Sequence, residues 1–314
     1  MMPVSFEERL ENAPGEGLMS FNLAVLAEGL DRVKDLHDRN LGSEVVQTRT
    51  GEYKSWDAEV FRVDKETEDG YIARLKERGR PVVLLSEEAE RLEINLDRGE
   101  AEAFVVSDPF DGSFLFKRDI PDFWYSSLAF FDKSGSPLCC AVGDVVNRTI
   151  AFADETGAYV VDLKENRFEN RLKLDTTYRK ATGREDMTDL AKASIESYAM
   201  KPKKFLLPLV DKYRRVMEPF KFFLPNGGPY AFADVAAGRI DCYFAPKQPF
   251  VDVFSGIFIA RQAGAVVTDF SGNPVVFEDN VHGMYDVVAS TNEKLHQQVL
   301  DLIAECENQE KGCN

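Results

Sequence analysis

Asp108-Pro109-Phe110-Asp111-Gly112-Ser113 closes the apolar run Ala103-Phe104-Val105-Val106, which reads as a short strand. At that point the chain presents two carboxylates three residues apart. Pro109 has a fixed φ and disfavours the helical region for the residue before it. Asp108 is therefore held extended, and the two Asp side chains turn toward one point rather than trailing along a helix face. Gly112 has no Cβ, so the backbone can come close to a ligand, and Ser113 adds a hydroxyl. Two carboxylates, exposed amides and a hydroxyl suit a hard cation with a phosphate resting on it. Taken alone, the same six residues also make an ordinary turn, since Asp, Pro, Gly and Ser are the common turn residues.

Further carboxylates lie on either side. Val82-Val83-Leu84-Leu85 reads as a buried strand that delivers Glu87-Glu88. Downstream, Val251-Asp252 is followed after eleven residues by Gly264-Ala265. Upstream, Asp64 precedes a helical segment that reaches Arg78, and the residue pattern makes it an N-cap. Asp252 has the same N-cap reading, ahead of a helix over Val253 to Ala263.

Carboxylates before, within and after the hexapeptide, in this order, resemble the inositol monophosphatase and fructose-bisphosphatase superfamily. That pattern is an upstream Asp, Glu-Glu, Asp-Pro-(Ile/Leu)-Asp-Gly-(Thr/Ser), then Trp-Asp followed by Gly-Gly. The resemblance spans roughly residues 45 to 300. Ser86 stands where the family usually has Gly, Val251 replaces its Trp, and Ala265 replaces its second Gly.

The resemblance implies a layered αβαβα sandwich of the sugar phosphatase type and a Mg²⁺-dependent, lithium-sensitive phosphatase. Two or three Mg²⁺ ions are implied, with Mn²⁺ as the alternative, and the all-oxygen ligand set agrees with a hard cation. Glu87, Asp108 and the Phe110 carbonyl would hold one ion, and Asp108, Asp111 and Asp252 a second. Glu87 and Ser113 would orient a metal-activated water, with Asp64 behind it or beside a third ion. The amides of Gly112 and Ser113 would bind phosphate, and the turn carrying Gly228 would lie beside the substrate. The implied substrate is a small sugar or polyol phosphate, of the inositol-1-phosphate or fructose-1,6-bisphosphate type. The position where inositol monophosphatases place a hydroxyl-binding Glu is Ala245, seven residues before Asp252. Lys247 in the same loop either meets a second phosphate or faces solvent. The other readings are a 3′(2′),5′-bisphosphate nucleotidase and a non-catalytic phosphate-binding relative. A homodimer or other homo-oligomer follows only by analogy with the family.

Composition sets outer limits. The 314 residues, 44% of them hydrophobic, suffice for a sizeable core in one or two domains. A formal charge of −16 argues against nucleic acid or an anionic membrane as partner. It leaves room for a small anionic substrate, because bound cations reverse the local field. The first residues have no basic segment followed by an apolar run, and no apolar run approaches the ~18 residues of a membrane span. Five cysteines without a C-x-x-C pair fit a reduced, cytoplasmic compartment. None of the three histidines adjoins a motif, and there is no phosphate-binding Walker loop or dinucleotide fingerprint.

The chain divides near residue 175. Residues 1–175 read as α+β: a loose leader, a helix with the apolar stripe Met19, Leu23, Leu26, Leu30 and Val33, a hairpin or mobile loop at Thr48–Trp56, and an antiparallel meander from Ser126 to Leu163. Glu90 to Glu102 reads as an exposed connection, and Asn166 to Asp189 as irregular. Residues 176–314 read as α/β, with helices at Leu190–Met200, Phe205–Val216 and Tyr230–Gly238, and a last helix capped by Asn292.

Overall fold

The apolar runs on either side of the hexapeptide pair into one large sheet, and a smaller sheet collects the strands of the second half. A computed structural model of the protein describes residues 5–50, 55–165 and 167–312. The first half supplies α1 (Phe6–Asn12), α2 (Leu18–Asp38), β1 (Val45–Thr48), β2 (Glu59–Phe61), α3 (Arg62–Arg78), β3 (Val82–Ser86), β4 (Glu90–Ile94), β5 (Ala103–Asp111), α4 (Ser113–Lys117), β6 (Tyr125–Phe131), β7 (Pro137–Asp144), β8 (Thr149–Asp154), β9 (Gly157–Lys164) and β10 (Arg167–Leu174). The second supplies α5 (Thr176–Ala181), β11 (Ser194–Glu196), α6 (Leu207–Met217), β12 (Phe222–Leu224), α7 (Pro229–Ala237), β13 (Cys242–Pro249), α8 (Phe250–Phe254), α9 (Ile257–Gln262), β14 (Val266–Thr268), β15 (Met284–Ser290) and α10 (Glu293–Gly312).

The eight-stranded sheet has the order β10-β9-β8-β7-β6-β5-β3-β4, and the five-stranded sheet the order β12-β11-β13-β15-β14. Three apolar clusters define the layers. The stripe of α2 and the apolar residues of α3 cover one face of the large sheet. Its other face packs on α7, α8 and α9, which also cover the small sheet through Tyr243, Ala245, Val287 and Ala289. The far face of the small sheet is covered by α6 and α10. This is the expected αβαβα sandwich. Neighbouring residues divide between faces as strand alternation requires: Cys139 belongs to the outer cluster and Cys140 to the inner one.

The structure departs from the sequence reading in particular segments. The large sheet is antiparallel except at β3 and β5, which run parallel. Glu90–Ile94 is not a bare connection but the charged edge strand β4, paired with β3. The leader contains α1, capped by Ser5, whose Oγ accepts from the Glu8 amide at 3.1 Å. The polar stretch after 166 forms β10 and α5. Where a helix was expected at Leu190–Met200, β11 lies between β12 and β13, parallel to both, with Ile195 fully buried. Residues 51–54, inside the expected hairpin or loop, lie outside the described residues, while β1 and β2 on either side pair antiparallel.

Candidate active site

In a regular strand Asp108 and Asp111 would face opposite sides, because side chains alternate with a period of two. The register between β5 and β6 slips between them: Asp108 pairs with Ser127 and Asp111 with Tyr125. Three steps on one strand against two on the other make a bulge, which re-aims the side chains, and both carboxylates face the same cavity. The Pro109 carbonyl at the bulge accepts from Ser126 Oγ at 2.7 Å. Glu87 follows β3, and its amide donates to the Ser107 carbonyl at 3.2 Å, which carries the parallel pairing one residue further and sets Glu87 beside Asp108.

Asp252 arrives from the other half. It is the third residue of α8, inside the first turn and not at the N-cap, and α8 packs against β5. Oxygens of Glu87, Asp108 and Asp252 all lie within 4.8 Å of one another. Oxygens on opposite sides of a Mg²⁺ ion are about 4.2 Å apart, since each lies about 2.1 Å from the metal. Three oxygens at this separation therefore fit one hard cation with small inward movements of the side chains. Asp111 lines the same cavity but stands apart from that set. Its Oδ2 is 2.6 Å from the point a Cβ on Gly228 would occupy, and Gly228 has a φ of +79°. Gly112, at φ +108°, lies so close to Phe123 that a Cβ would fall on that residue's carbonyl oxygen.

Ser113 and Asp64 form the next group. Asp64 is buried at the third position of α3, where its Oδ2 accepts from the Phe61 amide at 2.8 Å. Ser113 Oγ donates to Asp64 Oδ1 at 2.6 Å. Burial, reinforced by the nearby Glu87 charge, pushes the Asp64 carboxyl up to about 7, against the bonds from Ser113 and Phe61. Asp64 stands one hydrogen bond behind Ser113, which lines the cavity.

The cavity measures about 450 Å³. Phe110, Gly112, Ser113 and Gly228 line it together with Glu87, Asp108, Asp111 and Asp252. Lys247 lies elsewhere. A bulge in β13 between Ala245 and Gln248 turns Gln248 to the cavity and leaves Lys247 exposed, its amide donating to Asp286 Oδ1 at 2.8 Å. Among the described residues, the lysines that line the cavity are Lys201, Lys203 and Lys204.

Two further groups lay outside the sequence reading. Arg49 Nη2 is 3.3 Å from Glu87 Oε1 and 2.5 Å from Glu88 Oε1. Glu88, the second residue of the Glu-Glu pair, is only 7% exposed at its side chain. Burial and the charge of Glu87 push its carboxyl upward, with Arg49 opposing. Asn226, which lines the cavity, donates to the fully buried Glu196 at 2.9 Å. Burial and Asp234 push the Glu196 carboxyl well above the ordinary range. No local pattern flags Arg49 or Glu196. The Lys-Pro-Lys-Lys run at 201–204, in a chain of net charge −16, was a visible signal.

Comparison with known proteins identifies the family and the fold. The family model described as "Inositol monophosphatase family" matches residues 24–308. The chain is similar to a fructose-1,6-bisphosphatase/inositol-1-monophosphatase of Methanothermobacter thermautotrophicus, at 24% identity over 77% of this chain and 82% of that one. It is 26% identical to the inositol-1-monophosphatase of Bacillus subtilis, over 77% of this chain and 82% of that one. Its fold is similar to that of the extragenic suppressor protein suhB from Bartonella henselae, with a TM-score of 0.71 and 18% identity, covering 92% of this chain and 98% of that one.

Proposed function

Because the chain belongs to the inositol monophosphatase family, we propose that it is a metal-dependent phosphomonoesterase acting on a small sugar or polyol phosphate. The convergence of Glu87, Asp108 and Asp252, from three separate elements, within 4.8 Å in one cavity carries this reading. The relatives' names, which cover inositol-1-monophosphate and fructose-1,6-bisphosphate, support the substrate class.

Glu87, Asp108 and Asp252 would hold Mg²⁺, and the Phe110 carbonyl and Asp111 would supply further oxygens for a total of two or three ions. Bound there, the cations would neutralise charge on the phosphoryl oxygens and acidify the attacking water. The chain's own groups do the rest. Ser113 donates a hydrogen bond to Asp64, so its oxygen is free to accept one from the attacking water, and the water's proton passes through Ser113 to Asp64 as the hydroxyl hands its own on. Asp64, held near neutrality by burial, is matched to receiving a proton at physiological pH. The amides of Gly112 and Ser113 steady the phosphate oxygens as the water–phosphorus bond forms and the ester bond to the leaving alcohol breaks. Gly228 leaves room beside Asp111 for the substrate. The four described cysteines are free and buried, in keeping with a reducing, cytoplasmic setting. No helix among the described residues is long and apolar enough to cross a membrane.

Phosphate release from p-nitrophenyl phosphate, inositol-1-phosphate and fructose-1,6-bisphosphate tests the proposal. Turnover is expected with Mg²⁺, abolished by a chelator and inhibited by Li⁺. If none of the three esters is cleaved in Mg²⁺ or Mn²⁺, the reading is wrong.

A further inference from the structure

The cavity carries charges of both signs. Carboxylates form its floor, and Lys201, Lys203 and Lys204 line it as well. Three cations in four residues are out of keeping with a chain of net charge −16, and here they line a cavity rather than an open face. They sit at the start of an irregular turn, Pro202–Leu206, wound as one π-helical turn, a local form that recurs at functional sites. Two of them are held in place. Lys201 Nζ lies 2.5 Å from Asp57 Oδ2. Lys204 Nζ lies 4.3 Å above the Trp56 ring, an arrangement that favours a fixed ammonium. Phe205 and Tyr198 pack edge to face at 4.8 Å, and Phe205 meets Trp56 in the same way at 6.1 Å. The turn is thereby anchored to the segment around Trp56, which also lines the cavity. Among the described residues Asp57 pairs with Lys201, and Lys203 and Lys204 keep this side of the lining cationic.

A phosphoryl group bound over the floor would be neutralised by the cations held there. Such a group has no need of three further cations, and a neutral polyol has none either. An anionic group at the far end of the substrate does, because ammonium groups pair with phosphate oxygens through short charge-assisted bonds. Deepening the phosphatase reading on which it rests, we propose that Lys201, Lys203 and Lys204 form a subsite for a second phosphate, so that the preferred substrate is a sugar bisphosphate rather than a monophosphate. The lysine that the sequence singled out for this task, Lys247, lies outside the cavity.

The test compares fructose 1,6-bisphosphate with fructose 1-phosphate. In the wild type kcat/KM is expected to favour the bisphosphate, and Lys201→Ala/Lys203→Ala/Lys204→Ala is expected to lower that ratio by at least about tenfold, as loss of charge-assisted contacts requires. Lys247→Ala is expected to leave the ratio where it is. Equal ratios in wild type and triple variant, or a fall in Lys247→Ala alone, would overturn the subsite. Calorimetric binding of the same two sugars, in the Asp111→Asn background, separates this question from catalysis. A lysine-dependent preference in binding without any wild-type turnover keeps the subsite and sinks the phosphatase reading. Turnover with no such preference does the reverse. The three lysines are at least partly exposed, so their loss leaves the core packing untouched.

Discussion

Ser113 Oγ lies 2.6 Å from Asp64 Oδ1, and this one bond joins the end of the Asp-Pro-Phe-Asp-Gly-Ser segment to the first turn of α3. If the two act as a single relay, their loss is not additive. Ser113→Ala and Asp64→Asn are each expected to lower kcat by at least about 100-fold, the scale of lost general-base assistance, with little change in KM. The double variant is expected to be no worse than the weaker single one. Steady-state kinetics on p-nitrophenyl phosphate decide it: effects that multiply in the double variant mean that the two residues work separately.

The carboxylates of the floor are expected to matter more. Asp252→Asn and Asp111→Asn keep side-chain volume and remove charge, and each is expected to cost at least about two orders of magnitude in rate. Thermal melting gives a second readout that does not depend on turnover. A ligand that binds only the folded state raises its stability, so Mg²⁺ is expected to raise the wild-type melting temperature. That increment should shrink in Asp252→Asn, whose side chain belongs to the convergent set of three. Near-normal activity together with a full Mg²⁺ increment would remove Asp252 from the site.

Gly228 is constrained twice. Its φ of +79° strains any residue with a Cβ, and that Cβ would sit 2.6 Å from Asp111 Oδ2. Its amide also donates to the Tyr243 hydroxyl at 3.1 Å, which pins the turn so that it cannot swing away. Gly228→Ala is expected to destabilise by about 1–3 kcal/mol through its backbone alone, since φ +79° with ψ −163° is a region essentially restricted to glycine. By displacing Asp111 it is expected to lower kcat/KM by about tenfold or more. Urea unfolding and kinetics on the same preparation separate the two effects. A variant destabilised yet fully active would show that Asp111 has room to move.

Arg49 poses the reverse case, a cation buried against acids. It is 9% exposed and contacts both Glu87 and Glu88. Taking it away leaves the buried Glu88 facing Glu87 uncompensated, and removal of one member of such a pair typically costs about 3–5 kcal/mol. In the absence of metal, Arg49→Met is expected to melt well below the wild type. Mg²⁺, which supplies positive charge at Glu87, is expected to recover more stability in the variant than in the wild type. An unchanged melting temperature without metal would mean that the pair contributes nothing.

How much of this was legible in the chain depends on whether the signal was local. The hexapeptide, the Glu87 pair and Asp252 each have a pattern of residues around them, and their order along the chain pointed to one cavity. The β5 bulge was implicit in Pro109, but the register slip that turns Asp108 and Asp111 to the same side is a property of the β5–β6 pairing. β11 was misread because Glu196 at its end and Ser197 just beyond it are buried by neighbouring strands and not by anything in their own segment. Lys247 lies outside the cavity, and Lys201, Lys203 and Lys204 line it, for a similar reason. A bulge in β13 sets which side chain faces inward, and the approach of the Trp56 segment to the Pro202 turn determines what lines the cavity.

The small sheet offers a prediction far from the carboxylates. His296 is 4% exposed on α10, with Nε2 2.9 Å from Thr268 Oγ1 and Nδ1 3.2 Å from Ser290 Oγ. Burial lowers its pKa to about 4, below the 6.5 of a free imidazole. The folded chain thus resists a proton that the unfolded chain accepts. The stability contributed by neutral His296 is complete above pH ~6.5, declines as pH falls toward about 4, and changes no further below that. In this window the slope approaches ~1.4 kcal/mol per pH unit. The buried carboxyls with raised values, Asp64 and Glu196 among them, work in the opposite direction, since they favour the folded state on protonation. The difference between wild type and His296→Gln isolates the imidazole. Urea midpoints between pH 7 and 4.5 are expected to fall more steeply in the wild type, with the two curves converging or crossing toward the acid end. Parallel curves across that range would mean that His296 takes up its proton as readily folded as unfolded.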